Sequence, residues 1–253
     1  MTNQVATRFL ILGAPRTGTT MLVSLLGSHP DVACYGEIYN SVGGHEKLID
    51  GVAEITPEIL QRLFERGVHV DWKNPNDRPS HRMWTTPHEG RVQAVGFKLL
   101  SNQWRGSAAI RYLTEDLAIR VIRVRRRNAL AAVVSGINAV QRRVFNSSRA
   151  SDAVTKPVHV RLEMITRWVR EDRIWSMIER VFEGHPQLEI TYEDLIARRD
   201  EVCAGLLQFL GVTARELTTD TVKLGLPLRE AVTNWHELRE QARGTELEAF
   251  FEE

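Results

Sequence analysis

A glycine- and threonine-rich loop near the start of the chain is the pattern best suited to chemistry. It reads GAPRTGTT, with four residues between Gly13 and Gly18, and it lies between an apolar run and a helix-forming run. This spacing is typical of a phosphate-binding loop, whose backbone N–H groups point at an anion near the positive end of the following helix. Thr17, Thr19 and Thr20 add hydroxyl donors. We therefore predict an anion site at this loop.

The loop differs from that of a nucleoside triphosphatase at its charged residue. Those loops continue Gly-Lys-[Ser/Thr], whereas Thr19 occupies the lysine position here and the positive charge lies inside the loop, at Arg16. Magnesium-dependent enzymes of that class also carry a carboxylate after a later strand, but the later apolar run here ends RVIRVRRR, with no Asp or Glu. The sequence thus predicts a phosphate-like ligand bound without magnesium, and it predicts no metal site.

A second basic cluster stands before a later helix. Four arginines lie within five positions after an apolar run: Arg123, Arg125, Arg126 and Arg127. Ser135 follows Arg127 by eight residues, which is about two helical turns. Such a cluster can be a solvated patch paired with carboxylates, or an anion site where helix N–H groups already favour negative charge. Together, the two basic sites predict a ligand with phosphates at two ends, or a nucleotide with an additional phosphate.

The segments that would position these residues alternate between strands and helices. Apolar runs predict strands at 9–12, 92–100, 117–124 and 188–191, and an extended segment at 31–40. Helical patterns cover 19–29, 56–67, 107–117, 129–143, 158–182 and 194–211. The alternation predicts an α/β fold with a P-loop-type central parallel sheet flanked by helices. We expect one domain over 1–253, with 41–91 as a lid or acceptor-binding insertion that includes a long polar loop at 71–91.

Composition excludes several classes of protein. The 253 residues include 33 Lys and Arg against 32 Asp and Glu, a net charge of +1, which argues against a general nucleic-acid binder. Two cysteines cannot form a disulfide framework, and we expect both to be buried apolar residues. Neither a membrane-spanning run nor an export signal is visible, so we expect a cytoplasmic protein. The sequence gives no oligomeric state.

The paired motifs resemble those of sulfotransferases that use 3′-phosphoadenosine-5′-phosphosulfate (PAPS). Residues 13–40, GAPRTGTTMLVSLLGSHPDVACYGEIYN, resemble the family's 5′-phosphosulfate loop and first helix, and residues 15–20 match P-[KR]-[ST]-G-T-[TS]. Arg127 and Ser135 match the spacing of the 3′-phosphate motif, while Tyr192 in ITYEDL corresponds to a tyrosine near the adenine. The segment GEIYN and residues 227–238 are most similar to bacterial carbohydrate sulfotransferases, including nodulation-factor enzymes.

This resemblance implies the cofactor and its binding residues. PAPS would be the donor and 3′,5′-phosphoadenosine (PAP) the product, with a hydroxyl of a carbohydrate or glycolipid as acceptor. The residues implied in donor binding are Arg16, Thr17, Gly18, Thr19, Thr20, Arg127, Ser135 and Tyr192. Two features depart from the cytosolic branch of the family, which often carries lysine where Arg16 stands and a late Arg-Lys-Gly segment that is missing here.

Three residues are candidates for the catalytic work. Arg16 would stabilise charge on the leaving phosphate. Glu37 would be the base, as in the Glu-base branches of the family, and we expect burial to raise its pKa. Lys98, toward the end of a predicted strand, would stabilise the sulfuryl group or orient Glu37. His45 is the rival base, because it lies in the loop after Glu37.

Two other functions remain open at this point: a P-loop small-molecule kinase, and a non-catalytic nucleotide-binding protein of the same fold. Magnesium-dependent ATP binding would favour the first, and PAP binding without transfer the second. Three tryptophans fit either a sugar-binding cleft or the core: Trp72, Trp84 and Trp104.

Overall fold

The fold is seen in a computed structural model that describes residues 5–39, 47–73, 82–103, 108–142, 156–221 and 226–252. Its strands are β1 (Thr7–Gly13), β2 (Val32–Glu37), β3 (Lys47–Ile49), β4 (Val70–Trp72), β5 (Ala94–Leu100), β6 (Arg120–Arg125) and β7 (Gln187–Thr191). Five of them form a sheet in the order β2-β5-β1-β6-β7, in which every pairing is parallel. β3 and β4 form a separate antiparallel pair.

Helices connect the strands. They are α1 (Thr19–Leu26), α2 (Pro57–Glu65), α3 (Ala108–Glu115), α4 (Ala129–Arg142), α5 (Leu162–Ile178), α6 (Tyr192–Ala197), α7 (Arg199–Leu210), α8 (Leu228–Ala231) and α9 (Trp235–Ala242). Short 3-10 segments lie at Ser101–Gln103, Glu179–Phe182 and Glu248–Phe251. No helix in the described ranges is long and apolar enough to cross a membrane.

Strand β1 lies in the middle of the sheet and is buried on both faces. Leu10 and Leu12 belong to a core that includes α2 and α3, while Phe9 and Ile11 belong to a second core with α1 and α7. Alternating side chains point to opposite faces of a strand, so a sheet covered by helices on both sides produces the continuous apolar run seen in the sequence. The predicted α/β class with a central parallel sheet is confirmed.

Local signals explain where several elements begin and end. The Thr56 side chain accepts a hydrogen bond from the N–H of Ile59 and caps α2, whose first residue is Pro57. The single helix predicted for 194–211 is wrong, because the chain leaves helical geometry at Arg198 (φ −133°, ψ 45°) and divides into α6 and α7. The polar loop predicted for 71–91 begins later than expected, since β4 extends to Trp72.

Candidate active site

The loop between β1 and α1 has an unusual backbone at two residues. Arg16 has φ 72° and Gly18 has φ 93°, both in the left-handed region that most side chains avoid. The hydroxyl of Thr17 donates to the carbonyl of Ala14 at 2.8 Å and closes the turn. This hydroxyl is therefore used inside the loop in this structure, and its predicted contact with an anion stays a prediction. Backbone N–H groups at the start of α1 have no acceptor within the helix and remain suited to an anion.

Tyr192 packs directly on this loop. A Cβ atom on Gly18 would lie 2.6 Å from Cδ2 of Tyr192, so the ring occupies the space that a side chain would need. Tyr192 is the first residue of α6 and follows β7, at the same edge of the sheet as the loop. The structure thus brings two of the sequence-predicted donor-binding residues into contact.

A hydrogen bond joins the two predicted anion sites. Nε of Arg16 donates to Oγ of Ser135 on α4 at 3.0 Å. Nη1 of Arg126 donates to the carbonyl of Arg16 at 2.9 Å, and the Arg126 guanidinium carbon lies 4.6 Å from the centre of the Tyr192 ring. The loop after β1 and the helix after β6 therefore form one continuous basic surface.

Two half-buried positive charges lie side by side on this surface. Burial lowers the pKa of Arg16, and repulsion from Arg126 lowers that pKa further. Burial also lowers the pKa of Arg126, partly offset by Tyr192 and Glu193. Nε of Arg126 is buried and has no hydrogen-bond partner among the described residues. A buried donor without an acceptor is costly, and an anion at this point would supply one.

The remaining arginines of the cluster have carboxylate partners. Arg123 and Arg125 lie on one face of β6, and both approach the fully buried Glu179, Arg125 through a direct hydrogen bond. Of the two interpretations that the sequence leaves open for the cluster, pairing with a carboxylate describes these two residues. Arg127 is 60% exposed, and its Nη1 and Nη2 donate to Asp194 at 3.3 and 3.2 Å. A phosphate at Arg127 would therefore compete with the Asp194 carboxylate.

The candidate base lies at the end of β2, opposite Lys98 of β5. The register of the two strands shifts between Cys34 and Glu37, where Gly36 has φ 65°. Such an irregularity re-aims the side chain that follows it. Nζ of Lys98 lies 2.7 Å from Oε1 of Glu37 and donates to Oγ1 of Thr20 at 3.1 Å. Lys98 therefore connects the candidate base to the first turn of α1.

Two residues beside Glu37 were not predicted from the sequence. Nε2 of Gln103 donates to Oε2 of Glu37 at 2.6 Å. The Lys47 ammonium donates to the backbone carbonyl of Glu37, and burial lowers the pKa of Lys47 to about 8, despite the opposing attraction of Glu37. The only sequence signal for either residue is proximity in the chain, since Gln103 follows β5 and Lys47 opens β3.

The pKa of Glu37 departs from its usual value in the opposite direction to the one expected. Burial alone would raise it, but the charge and hydrogen bond of Lys98, with contributions from Lys47 and Gln103, lower it overall. The prediction of a raised pKa is wrong because it took account of burial without the cations around the carboxylate. With a side chain 24% exposed, Glu37 is ionised at neutral pH and open on one side.

Other predicted residues fall in different places. His45 and Trp104 lie outside the described residues. Trp72 and Trp84 are partly buried against the core that includes α2 and α3. Cys34 and Cys203 are both buried and unpaired. In the ranges that the structure covers, no group of three or more His, Cys, Asp or Glu side chains is placed to hold a metal ion.

Comparison with known proteins places this geometry in a family. A sequence model of the Sulfotransferase family matches residues 8–216, and the chain belongs to that family. The match includes the loop, Glu37, Lys98, Ser135 and Tyr192.

Individual relatives extend the similarity to nearly the whole chain. Nodulation protein H of Rhizobium meliloti strain 1021 is 28% identical over 251 residues, covering 96% of this chain and 94% of the relative. Nodulation protein H of Rhizobium tropici is 26% identical over 255 residues, covering 96% and 92%.

Two solved structures were also matched. A sulfotransferase from Alicyclobacillus acidocaldarius has a TM-score of 0.49 and 16% identity, covering 96% of this chain and 95% of that chain. Mouse sulfotransferase SULT7A1 complexed with PAP has a TM-score of 0.41 and 11% identity over 83% of this chain, which spans 60% of the mouse chain's length.

Proposed function

We propose that this protein transfers the sulfuryl group of PAPS to a hydroxyl of a carbohydrate or glycolipid acceptor. The observation that carries the proposal is the hydrogen bond from Arg16 to Ser135. It joins the loop after β1 to the helix after β6, so that a ligand with phosphates at two ends can contact both motifs. The carbohydrate acceptor is supported by the resemblance of GEIYN and residues 227–238 to bacterial carbohydrate sulfotransferases and by the similarity to nodulation protein H.

Two observations at the loop support an anionic donor such as PAPS. The buried, unpartnered Nε of Arg126 requires an acceptor, and the left-handed turn at Arg16 and Gly18 opens the start of α1 to an anion. We propose that Arg16, Gly18, Thr19 and Thr20 hold the phosphosulfate side. Arg127 and Ser135 would hold the 3′-phosphate, Tyr192 would lie near the adenine, and Thr17 would shape the loop through its bond to Ala14.

When bound, PAPS supplies an electrophilic sulfur and a phosphate leaving group. Glu37 would accept the proton of the acceptor hydroxyl while the oxygen of that hydroxyl bonds to sulfur. The bond between sulfur and the phosphate oxygen of PAPS would break, and its electron pair would stay on the phosphate of the departing PAP. Arg16 and the loop N–H groups stabilise that charge. Lys98 lies between Glu37 and Thr20, where it orients the base and faces the transferred group. Pre-positioned donors of this kind act without reorganising during the reaction.

Acceptor binding belongs, in this proposal, to the 41–91 segment. Part of that segment is core, because Leu60 and Leu63 of α2 are fully buried. Its described part also reaches the candidate base, since Lys47 donates to the carbonyl of Glu37. A bound acceptor touching this segment would therefore lie beside the base.

The proposal is tested first by ligand-dependent melting. PAP at 100 times its Kd should stabilise the protein by about 2.7 kcal/mol, which is a rise in Tm of roughly 5–10 °C for a chain of this length, with or without magnesium. Stabilisation by ATP that requires magnesium, with none from PAP, would instead indicate a kinase.

Transfer itself is tested with radiolabelled PAPS and a panel of sugar and glycolipid acceptors. Glu37→Gln should abolish transfer while PAP affinity stays within a factor of two. PAP binding by the unaltered protein with no transfer to any hydroxyl acceptor would favour a non-catalytic nucleotide-binding protein.

A further inference from the structure

Gln103 is held in one orientation by the backbone before it. It ends the 3-10 segment that follows β5, and its side chain is buried, with 3% of the residue exposed. Its Oε1 accepts a hydrogen bond from the N–H of Leu100 at 3.1 Å. Because an N–H group cannot donate to the NH₂ end of the amide, this contact directs Nε2 away from Leu100 and toward Glu37.

The Glu37 carboxylate is held at both of its oxygens. Oε1 contacts Lys98 at 2.7 Å and Oε2 accepts from Gln103 at 2.6 Å. A carboxylate offers about four lone-pair sites, so two donors fix its rotation and still leave sites to accept a proton. The two donors come from β5 and from the segment just after it, which makes them one rigid unit.

The two donors differ in charge, and the difference matters for a base. Lys98 is cationic and lowers the pKa of Glu37 by charge as well as by hydrogen bonding. Gln103 is neutral, so it contributes orientation with a smaller loss of basicity than a second directly bound lysine would cause.

We propose that Gln103 is a positioning residue that fixes the rotation of the Glu37 carboxylate, directing the free lone pairs toward the acceptor hydroxyl. The inference rests on the proposed role of Glu37 as base. Gln103 acts through Glu37 and needs no contact with donor or acceptor.

The experiment follows the Glu37 carboxyl carbon by NMR in protein labelled with ¹³C-glutamate, assigned by the signal that Glu37→Gln removes. Gln103→Met keeps the side-chain length and removes the donor, and Gln103→Glu also keeps an acceptor for Leu100. In Gln103→Met the titration midpoint of Glu37 should rise by about one pH unit. In Gln103→Glu the two adjacent carboxyl groups should titrate as a coupled pair, with a larger rise in the upper midpoint. Gln61→Glu is the matched control, because Gln61 donates to Glu65 at 2.8 Å on an exposed face of α2. It should leave the Glu37 midpoint unchanged.

Transfer assays on the same proteins supply the second readout. The acid limb of the pH profile of kcat/KM should move upward with the NMR midpoint, kcat should fall at least tenfold in Gln103→Met, and PAP affinity should not change. An unchanged midpoint in a folded Gln103→Met or Gln103→Glu protein would overturn the inference, as would an equal shift in Gln61→Glu. If the unaltered protein transfers no sulfate, the proposed function fails, while the titration still decides whether Gln103 holds Glu37.

Discussion

Replacing Lys98 by methionine would leave the Glu37 carboxylate in a mostly enclosed site without its directly bound cation. The Lys98 side chain is 3% exposed, and its Nζ has two partners, Glu37 at 2.7 Å and Thr20 at 3.1 Å. Methionine fills nearly the same volume, so the change removes charge with little loss of packing. The result should therefore report the electrostatics of the pair.

The expected loss of stability follows from the burial of the Lys98–Glu37 ion pair. Removing one partner of a buried ion pair costs about 3–5 kcal/mol, and because Glu37 is 24% exposed and keeps its bond to Gln103, we expect about 2–3 kcal/mol at pH 7. In the unaltered protein the pKa of Glu37 lies below its unfolded value. The ion pair therefore stabilises the fold at pH values above the unfolded-state pKa of Glu37. This stabilisation is lost as the pH falls through the folded-state pKa.

In Lys98→Met, the contribution of Glu37 to stability should depend on pH in the opposite direction. Without Lys98, burial dominates and raises the pKa of Glu37, so the carboxyl becomes protonated as the pH falls and its penalty disappears. The destabilisation relative to the unaltered protein should thus shrink from about 2–3 kcal/mol at pH 7 to about 1 kcal/mol at pH 4. Adding Glu37→Gln to Lys98→Met should restore most of the stability at pH 7, because no unpaired charge is then buried.

Urea unfolding followed by tryptophan fluorescence at pH 7 and pH 4 measures these differences. Arg91→Met is the control, since the pair of Arg91 with Glu89 is 74% and 68% exposed and its loss should change stability little at either pH. An equal loss at both pH values for Lys98→Met, or no recovery in the double variant, would refute the reasoning.

Further predictions concern the donor site. Gly18→Ala should destabilise the fold by about 1–3 kcal/mol and weaken PAP binding at least tenfold, because φ is 93° and Tyr192 occupies the Cβ position. Gly205→Ala, in α7 with open space around it, should instead stabilise by up to about 1 kcal/mol, and melting curves with calorimetry compare the two. Arg127→Ala should weaken the binding of PAPS by about 10–100-fold. It should weaken the binding of adenosine 5′-phosphosulfate, which lacks the 3′-phosphate, much less. Equal losses of affinity in a binding titration would show that Arg127 does not bind the 3′-phosphate.

The elements that carry the site could be predicted from the sequence because their signals are local. The apolar run before Gly13 and the glycine spacing indicate a strand, a turn and a helix, and the structure has all three in place. The helix break at Arg198 could not be predicted, since the apolar pattern continues through Leu195 into α7. The two helices separate at Arg198, whose backbone (φ −133°, ψ 45°) ends α6 and precedes α7, whereas the local signal nearby, the Thr191 cap, lies at the start of α6.

The charges were harder to predict because their partners are distant in sequence. Arg125 reaches Glu179 across 54 residues, and only packing of the 3-10 segment after α5 brings that carboxylate to β6. The same reason accounts for Glu37, whose pKa direction is decided by Lys98 from a neighbouring strand. The residue types were therefore enough to propose the candidate site, whereas the fold determines which cations and carboxylates pair.

Arg16 and Arg126 lie close together, because Nη1 of Arg126 donates to the carbonyl of Arg16. Each is half-buried, and the repulsion between them contributes to the lowered pKa of Arg16. Surface arginines such as Arg167 and Arg180 instead have a carboxylate within one helical turn. An anion beside the two guanidinium groups would reduce this repulsion and accept a hydrogen bond from Nε of Arg126, which has no partner among the described residues.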